Sequence, residues 1–343
     1  MILRMKQGTP PERVQALRAR LELRGLRTLL SPETSRPIFA VVDKLPSDVR
    51  EELERQADVV EIVRPQGDWR LVDRSFREAP SVVDIGGVRV GGGRVVVIAG
   101  PCSVEGRDVM LEVAQKVAGA GAQLLRGGAF KPRTSPYSFQ GLGVEGLRFL
   151  KDAGEAVGLP VVSEIMDAAE LPAFLEHDID CLQVGARNMQ NFTLLKAIAR
   201  VGRPVLLKRG LSATVKEWLY SAEYLAAGGC DQIVLCERGI RTFESATRNT
   251  LDLTILPLLR EWTHLPIVVD PAHACGIARL IPPLSRASVA AGADGVAVEV
   301  HPRPEEARSD GPQALLPGEL AALVADARVQ AVVTGRTFPA ARR

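Results

Sequence analysis

Eight short apolar segments recur along the second part of the chain, and amphipathic helical patterns separate them. The segments are VVVIAG, AQLLRG, PVVSEI, CLQVGA, PVLLKR, DQIVLC, PIVVD and GVAVEV. Their nearly continuous apolar character is typical of parallel strands that are covered on both faces. Eight strands alternating with helices over about 250 residues match the count and size of a TIM barrel. We therefore predict a (β/α)8 barrel over residues 81–343; an open doubly wound sheet is the alternative, which the even spacing fits less well.

Residues 1–70 have a pattern of their own. Short strands are predicted at ILRM, LRTLL, PIFAVVD and DVVEIVRP, and helices at PPERVQALRARLELRG and SDVREELERQ. The resulting order β-α-β-β-α-β is that of a ferredoxin-like domain. Residues 71–80 are predicted to form a linker. The segment SVVDIGGVRVGGGR, which follows, predicts a β-hairpin with a Gly-Gly turn at the start of the barrel domain.

Charge and cysteine content exclude several classes of protein. The 43 basic and 41 acidic residues nearly cancel, so no global field favours nucleic acid or an anionic membrane. No segment has the length of a membrane span, and the N-terminus does not resemble a signal peptide. The five scattered cysteines are expected to be reduced thiols, which favours a cytoplasmic location. Any site for an anion must therefore be local.

Charged side chains stand at the predicted C-terminal ends of almost every barrel strand, where TIM barrels carry their active sites. One set is cationic and consists of Arg126, Lys131, Arg133, Arg187, Lys208 and Arg238. Arginine binds phosphate or carboxylate oxygens in pairs, and lysine acts as a point charge. Six cations at one rim exceed what a single phosphate needs. The pattern predicts a substrate, or a pair of substrates, with several negative charges.

A second set could bind a metal ion and consists of Cys102, His273, Glu299 and Asp310. A mixture of sulfur, nitrogen and oxygen donors suits a borderline divalent ion such as Mn²⁺, Fe²⁺, Co²⁺ or Zn²⁺. The wide spacing leaves other roles open. Cys102 could be a small core residue, His273 a hydrogen-bonded structural residue, and Glu299 the partner of an arginine.

Seven motifs resemble those of one enzyme family. They are GPCSVEG, LRGGAFKPRTSPYSFQGLG, QVGARNMQNF, LLKRG, CERGIRTFE, DPAHACG and EVHP…SDG. In this order they resemble 3-deoxy-D-arabino-heptulosonate 7-phosphate (DAHP) synthase of type I-beta, which is related to 3-deoxy-octulosonate 8-phosphate synthase. The resemblance runs from about residue 80 to the end of the chain. The N-terminal segment is similar to the regulatory extension of some members.

The resemblance implies a transferase that joins phosphoenolpyruvate to erythrose 4-phosphate with water and releases phosphate, at the head of the shikimate pathway of aromatic amino acid biosynthesis. It implies a divalent metal held by Cys102, His273, Glu299 and Asp310, and catalytic roles for Lys131, Cys102, His273 and Glu164, with Glu164 and Lys131 as candidates for proton handling. The implied substrate contacts are Arg126, Lys131, Pro132, Arg133, Thr134, Ser135, Gly185, Ala186, Arg187, Lys208, Glu237, Arg238 and Asp270. It also implies a homotetramer and allosteric regulation, and we expect tyrosine or phenylalanine as an effector.

Three alternatives remain open. An octulosonate phosphate synthase would use arabinose 5-phosphate, but it typically carries a KANRS-like segment where this chain has KPRTS. A Schiff-base aldolase would use Lys208 as its nucleophile. A binding or sensor protein would keep the barrel without catalysis. For the N-terminal domain, a role in assembly or stability alone is the alternative to regulation.

Overall fold

The computed structural model describes residues 1–32, 36–133 and 135–340 and divides into two units. The first unit comprises Met1–Ser81 with Leu258–His264, and the second comprises Val82–Pro257 with Leu265–Arg343. No helix within the described ranges combines the length and the apolarity that a membrane crossing requires.

A four-stranded antiparallel sheet and two helices form the first unit. Its elements are β1 (Ile2–Met5), α1 (Pro11–Leu23), β2 (Thr28–Leu30), β3 (Ile38–Val41), α2 (Ser47–Glu54) and β4 (Val59–Val63). The strands lie in the order β2-β3-β1-β4. Val14, Leu17 and Leu21 recur at helical spacing and bury one face of α1. They pack in one cluster with Phe39 and Leu53 from the sheet and α2.

Residues 71–80, which the sequence predicts as a linker, belong to the first unit and contain buried side chains. Asp73 caps a 3-10 turn at Arg74–Phe76, and Phe76 is buried. The same unit contains the buried Trp69, whose ring centroid lies 6.1 Å from that of Trp262.

A β-hairpin opens the second unit. Its strands are β5 (Val82–Ile85) and β6 (Val88–Gly91), and they pair in antiparallel register. Gly86 and Gly87 form the turn with φ values of +54° and +84°, which a tight hairpin turn requires and glycine adopts readily. The valine and isoleucine side chains of the hairpin pack against the first residues of the barrel strands. The hairpin therefore closes the N-terminal end of the barrel.

Eight parallel strands form a closed barrel, which confirms the predicted fold of this part of the chain. The strands are β7 (Val96–Gly100), β8 (Leu124–Arg126), β9 (Val161–Ile165), β10 (Cys181–Val184), β11 (Val205–Lys208), β12 (Ile233–Glu237), β13 (Ile267–Val269) and β14 (Gly295–Glu299). They neighbour one another in sequence order, and β14 pairs with β7 to close the ring. All of their residues are buried, as the continuous apolar segments predict.

Helices alternate with these strands. They are α3 (Arg107–Ala120), α4 (Val144–Val157), α5 (Leu171–Glu176), α6 (Phe192–Ile198), α7 (Val215–Ala227), α8 (Ile255–Trp262), α9 (Pro271–Cys275), α10 (Ile281–Ala290) and α11 (Pro317–Val333). The second half of α8 groups with the first unit. All five cysteines are buried and form no disulfide.

His264 is a buried histidine whose ring has two partners in the first unit. Its Nδ1 lies 2.7 Å from the Ser81 hydroxyl, and its Nε2 lies 2.7 Å from the carbonyl oxygen of Leu71. A neutral imidazole satisfies both, because one nitrogen accepts and the other donates. Burial lowers the pKa of His264 to about 3.

We expect this histidine to make the first unit less stable in mild acid. The unfolded chain binds a proton near pH 6.5, whereas the folded chain binds it only near pH 3, so stability falls as the pH decreases through this window. The loss is at most about 1.4 kcal/mol per pH unit. His264→Gln, which does not titrate, should flatten this dependence in urea unfolding at pH 7 and pH 5. An equally steep dependence in the variant would contradict the assignment.

Candidate active site

A cavity of about 420 Å³ opens at the C-terminal ends of the barrel strands. The described residues that line it are Lys131, Pro132, Arg133, Ser135, Ser138, Glu164, Gln183, Gly185, Ala186, Arg187, Lys208, Leu211, Arg238, Arg241, Arg248, Asn249, His273 and Asp310. Five arginines and two lysines stand among them, against two carboxylates. The cavity is therefore built to receive anions.

Five of the six predicted cations line this cavity, and Arg126 does not. The guanidinium of Arg126 lies in the barrel interior, where it donates to Glu299 Oε1 at 2.7 Å and to the carbonyl oxygen of Cys102 at 3.4 Å. Both members of the Arg126–Glu299 ion pair are buried.

Thr134 is also predicted as a substrate contact, and it lies outside the described residues.

Three of the four predicted metal ligands form one group beside the cavity, and the fourth, His273, lies next to two of them. Ligand atoms of Cys102, Glu299 and Asp310 all lie within 4.8 Å of one another. The Nε2 atom of His273 is 3.4 Å from Glu299 Oε1 and 3.9 Å from Asp310 Oδ2. One thiol, one imidazole and two carboxylates form a donor set that suits a borderline divalent ion. The residues present therefore fit such an ion.

Burial and neighbouring charges set the protonation of these groups. Burial opposes ionisation of Glu299, but the charges of His273 and Arg126 outweigh it and lower the pKa of this carboxyl to about 2. Burial, assisted by the charge of Glu299, raises the pKa of the Cys102 thiol to about 12. Burial also lowers the pKa of His273, which favours the neutral ring that a metal needs.

Asp270, predicted as a substrate contact, lies behind the cavity wall and holds two other site residues. Its Oδ2 atom is 2.6 Å from the ammonium of Lys208 and 2.7 Å from Nδ1 of His273. Its Oδ1 atom accepts a hydrogen bond from the backbone N–H of His273 at the start of α9. These contacts turn Nε2 of His273 towards the carboxylates. A carboxylate behind a histidine in this way is typical of metal sites.

Glu237, also predicted as a substrate contact, is fully buried, and its carboxylate is engaged by the protein. The Arg209 guanidinium donates to Oε2 at 3.0 Å, and the backbone N–H of Gly239 donates to Oε1 at 2.6 Å. Arg209 also contacts Asp252 at 3.1 Å. Glu237 therefore supports the loop that follows β12 instead of facing the cavity.

Gly185 makes room for Glu164 in the cavity wall. A Cβ atom at this position would lie 1.9 Å from Glu164 Oε1, which no side chain can accommodate without moving the carboxylate. The other oxygen of Glu164 lies 3.9 Å from the ammonium of Lys131, which donates to the carbonyl oxygen of Cys102 at 2.9 Å. A carboxylate and an ammonium thus stand side by side at the floor of the cavity.

Several lining residues escape the sequence analysis, above all Arg241, Arg248 and Asn249. They lie between β12 and α8 in a segment of irregular structure, residues 238–254. Connections longer than about 12–15 residues are often functional, so the length of this loop was the available signal. No sequence feature marked three other lining residues as parts of the cavity: Ser138, Gln183 and Leu211.

Comparison with known proteins places the chain in a family. The model of the DAHP synthetase I family matches residues 73–331. The chain belongs to this family. It is 46% identical over 318 residues to phospho-2-dehydro-3-deoxyheptonate aldolase of Thermotoga maritima, covering 92% of this chain and 93% of that protein. It is 33% identical over 263 residues to 2-dehydro-3-deoxyphosphooctonate aldolase of Acidithiobacillus ferrooxidans, covering 71% and 92%.

Solved structures agree with this assignment. The crystal structure of the Thermotoga maritima DAHP synthase matches with a TM-score of 0.78 and 43% identity, covering 98% of this chain and 99% of that chain. A truncated form of the Thermotoga enzyme matches with a TM-score of 0.73 and covers 78% of this chain. The family and the enzyme class predicted from the motifs are confirmed.

Gly185→Ala should reduce activity of this DAHP synthase family member without unfolding the barrel. The added methyl group displaces the Glu164 carboxylate in the cavity wall, and a misplacement of about 1 Å in an active site can cost on the order of 100-fold in rate. Steady-state kinetics and circular dichroism would measure both effects. The matched control is Gly119→Ala on α3, where a Cβ meets nothing within 4 Å. Equal activity of the two variants would show that the Gly185 contact has no catalytic consequence.

Proposed function

We propose that the enzyme condenses phosphoenolpyruvate with D-erythrose 4-phosphate and water to give DAHP and inorganic phosphate, the first step of the shikimate pathway. The observation that carries the proposal is the cavity with seven cationic side chains and two carboxylates. Phosphoenolpyruvate brings a carboxylate and a phosphate, and the aldose brings a second phosphate. Two such anions repel one another unless the site supplies counter-charge. The 46% identical relative, named for the heptonate, supports this substrate pair.

Depth in the cavity supports a division of the cations between the substrates. Lys131, Lys208 and Arg238 are buried at the floor, where we assign phosphoenolpyruvate together with Arg187. Arg133 and Ser135 are more exposed, and they would hold the aldose phosphate with Pro132. Thr134 shares this role in the proposal although it lies outside the described residues. Arg126 acts from below through its ion pair with Glu299.

The proposal includes a divalent ion, Mn²⁺, Fe²⁺, Co²⁺ or Zn²⁺, bound by Cys102, His273, Glu299 and Asp310. Their closeness and their mixed donor atoms support this assignment. When bound, the ion supplies Lewis acidity at the aldehyde oxygen of the aldose.

The chain's own residues orient the substrates and move protons. The cations hold the enol carbon of phosphoenolpyruvate against the aldehyde carbon, so that the new C–C bond forms within one complex. The Lys131 ammonium is placed to protonate the resulting alkoxide, and the Glu164 carboxylate to take a proton from the water that adds to the carbon bearing the phosphate ester. Collapse of this adduct forms the C=O bond of the ketone and breaks the C–O bond to phosphate, and the hydroxyl proton leaves with the phosphate. The 3.9 Å separation of the two groups allows the proton to return from Glu164 to Lys131.

The structure gives a Schiff-base mechanism little support. Lys208 is buried, and its ammonium contacts Asp270 at 2.6 Å. A nucleophilic lysine must present its amine to the substrate carbonyl, whereas this nitrogen is held against the Asp270 carboxylate. Arabinose 5-phosphate remains the competing aldose, since relatives at 33% identity are named for the octonate.

A coupled assay of phosphoenolpyruvate with each aldose tests the proposal. We expect faster turnover with erythrose 4-phosphate, loss of activity after chelation with EDTA, and recovery with Mn²⁺. The control is the chelated enzyme supplied with Mg²⁺, which prefers oxygen ligands and should restore less activity. Faster turnover with arabinose 5-phosphate would assign that aldose as the substrate instead. Full activity after chelation would show that the reaction needs no metal ion.

The N-terminal domain, residues 1–70, is proposed to be ferredoxin-like and to bind tyrosine or phenylalanine as a feedback inhibitor within a homotetramer. Its strand order β2-β3-β1-β4 and its element order β-α-β-β-α-β support the fold assignment. A small domain joined to a complete barrel supports the regulatory role.

Deletion of residues 1–75 should abolish inhibition by tyrosine or phenylalanine and leave the condensation active. The reason is that every residue of the cavity belongs to the barrel unit. Initial rates of the full chain and the shortened chain, with and without each amino acid, would measure the effect. If inhibition survives the deletion, the domain does not bind the inhibitor, and its role is in assembly or stability alone.

A further inference from the structure

Gln313 lies between the two carboxylates of the candidate metal site. Its amide nitrogen donates to Glu299 Oε2 at 2.5 Å, and its amide oxygen accepts from the Arg248 guanidinium at 2.8 Å. The same nitrogen of Arg248 donates to Asp310 Oδ1 at 3.2 Å. A continuous series of hydrogen bonds therefore joins Glu299 to Asp310. It runs through the side chains of Gln313 and Arg248, which are not in the ligand cluster, and we call these two side chains the bridge.

This bridge engages Glu299 Oε2 and Asp310 Oδ1. Asp310 Oδ2 and Glu299 Oε1 face the cluster, and Glu299 Oε1 also accepts a hydrogen bond from Arg126 at 2.7 Å. Glu299 Oε1 is the oxygen near His273, at 3.4 Å from its Nε2. Asp310 Oδ2 is the oxygen near Cys102, at 3.3 Å from its sulfur. The bridge thus holds the rotation of Asp310 and, together with Arg126, the rotation of Glu299, so that Asp310 Oδ2 and Glu299 Oε1 face the cluster.

The position between the Arg248 guanidinium and the Glu299 carboxylate requires an amide side chain. Arginine only donates and an ionised carboxylate only accepts, so the group between them must offer one acceptor and one donor. The two partners also fix which way the amide of Gln313 points. Gln313 is 2% exposed, so water cannot replace a lost bond there at low cost.

The backbone holds this bridge in place. Asp310 has φ +53° and begins the 3-10 turn Gly311–Gln313, so a candidate ligand and its bridging residue lie three positions apart. A Cβ at Gly311 would lie 2.3 Å from the carbonyl oxygen of Pro304, which shows how closely the turn is packed. The N–H of Leu315 donates to the Glu299 carbonyl oxygen at 2.8 Å and ties the turn to the end of β14.

We propose that Gln313 and Arg248 are positioning residues that orient Glu299 and Asp310 for the divalent ion. The inference rests on the metal site of the proposed function and extends it to two residues outside the ligand set. Residues behind metal ligands typically contribute 10- to 100-fold in metal affinity. Arg248 also lines the substrate cavity, so the bridge joins that cavity to the metal site.

The test is a Co²⁺ titration of the chelated full-length chain, with a competing chelator to obtain the dissociation constant. The thiolate-to-metal charge-transfer band reports ligation by Cys102 independently of turnover. We expect Gln313→Met, which keeps the side-chain volume, to weaken binding about 10- to 100-fold. Arg248→Lys keeps the positive charge but shortens the side chain, which draws the donor away from Gln313 Oε1 and Asp310 Oδ1, and it should also weaken binding.

Gln123→Met is the matched control. Gln123 is equally buried and makes two hydrogen bonds, to Val97 and Gly121, but it lies just before β8 at the opposite end of the barrel. Its variant should lose stability and keep wild-type Co²⁺ affinity. Wild-type affinity in Gln313→Met would overturn the inference. If that variant does not fold, wild-type affinity in Arg248→Lys, whose side chain is partly exposed, would overturn it instead.

Cys102→Ser separates the inference from the proposed function. With the site as proposed, the wild-type chain gives the charge-transfer band and Cys102→Ser does not. A band in the wild type with unchanged affinity in the bridge variants would reject the bridge and leave the metal site intact. Equal spectra of the wild type and Cys102→Ser would reject the metal site, and the bridge with it.

Discussion

The buried ion pair between Arg126 and Glu299 is the interaction on which the rest of the site depends. It joins the ends of β8 and β14 across the intervening strand β7, with 2.7 Å between guanidinium and carboxylate. Loss of one partner from such a pair leaves an unpaired buried charge and typically costs 3–5 kcal/mol. Against the opposing effect of burial, His273 and Arg126 together lower the pKa of the Glu299 carboxyl to about 2.

Two further buried pairs repeat this arrangement around the rim. Lys208 pairs with Asp270, and Arg209 pairs with Glu237. Each carboxylate holds a cation at or just after the C-terminal end of β11 and also accepts a hydrogen bond from the backbone that follows its own strand. Charges held in this way need little reorganisation when substrate arrives.

Much of this organisation could be predicted from the sequence. Continuous apolar segments determine parallel strands covered on both faces, and the residues that follow such strands must meet at one rim. That reasoning predicted Cys102, His273, Glu299 and Asp310 as one ligand set, and the structure groups Cys102, Glu299 and Asp310 with His273 next to the two carboxylates. The same reasoning could not separate cavity-facing residues from supporting ones, because position at a strand end does not reveal a partner on the next strand. Asp270 and Glu237 were therefore predicted as substrate contacts.

The long loop after β12 and the turn at residues 311–313 were beyond reach for another reason. Irregular backbone has no period in the sequence, so nothing indicates that Arg248 and Gln313 meet across 65 residues of chain. Only the folded positions of β12 and β14 bring them together. The same holds for the φ +53° conformation of Asp310, which asparagine and aspartate tolerate better than most residues.

The apolar side chains of the hairpin complete the core at the N-terminal end of the barrel, while the candidate active site occupies the other end. The opposite rim can therefore remain polar and open without leaving the core underpacked. Loops at that rim are free to diverge with little penalty to the scaffold, as expected for a family whose members are named for sugars of different length. In this fold, the rim residues that contact substrate can change during evolution while the core of the barrel stays the same.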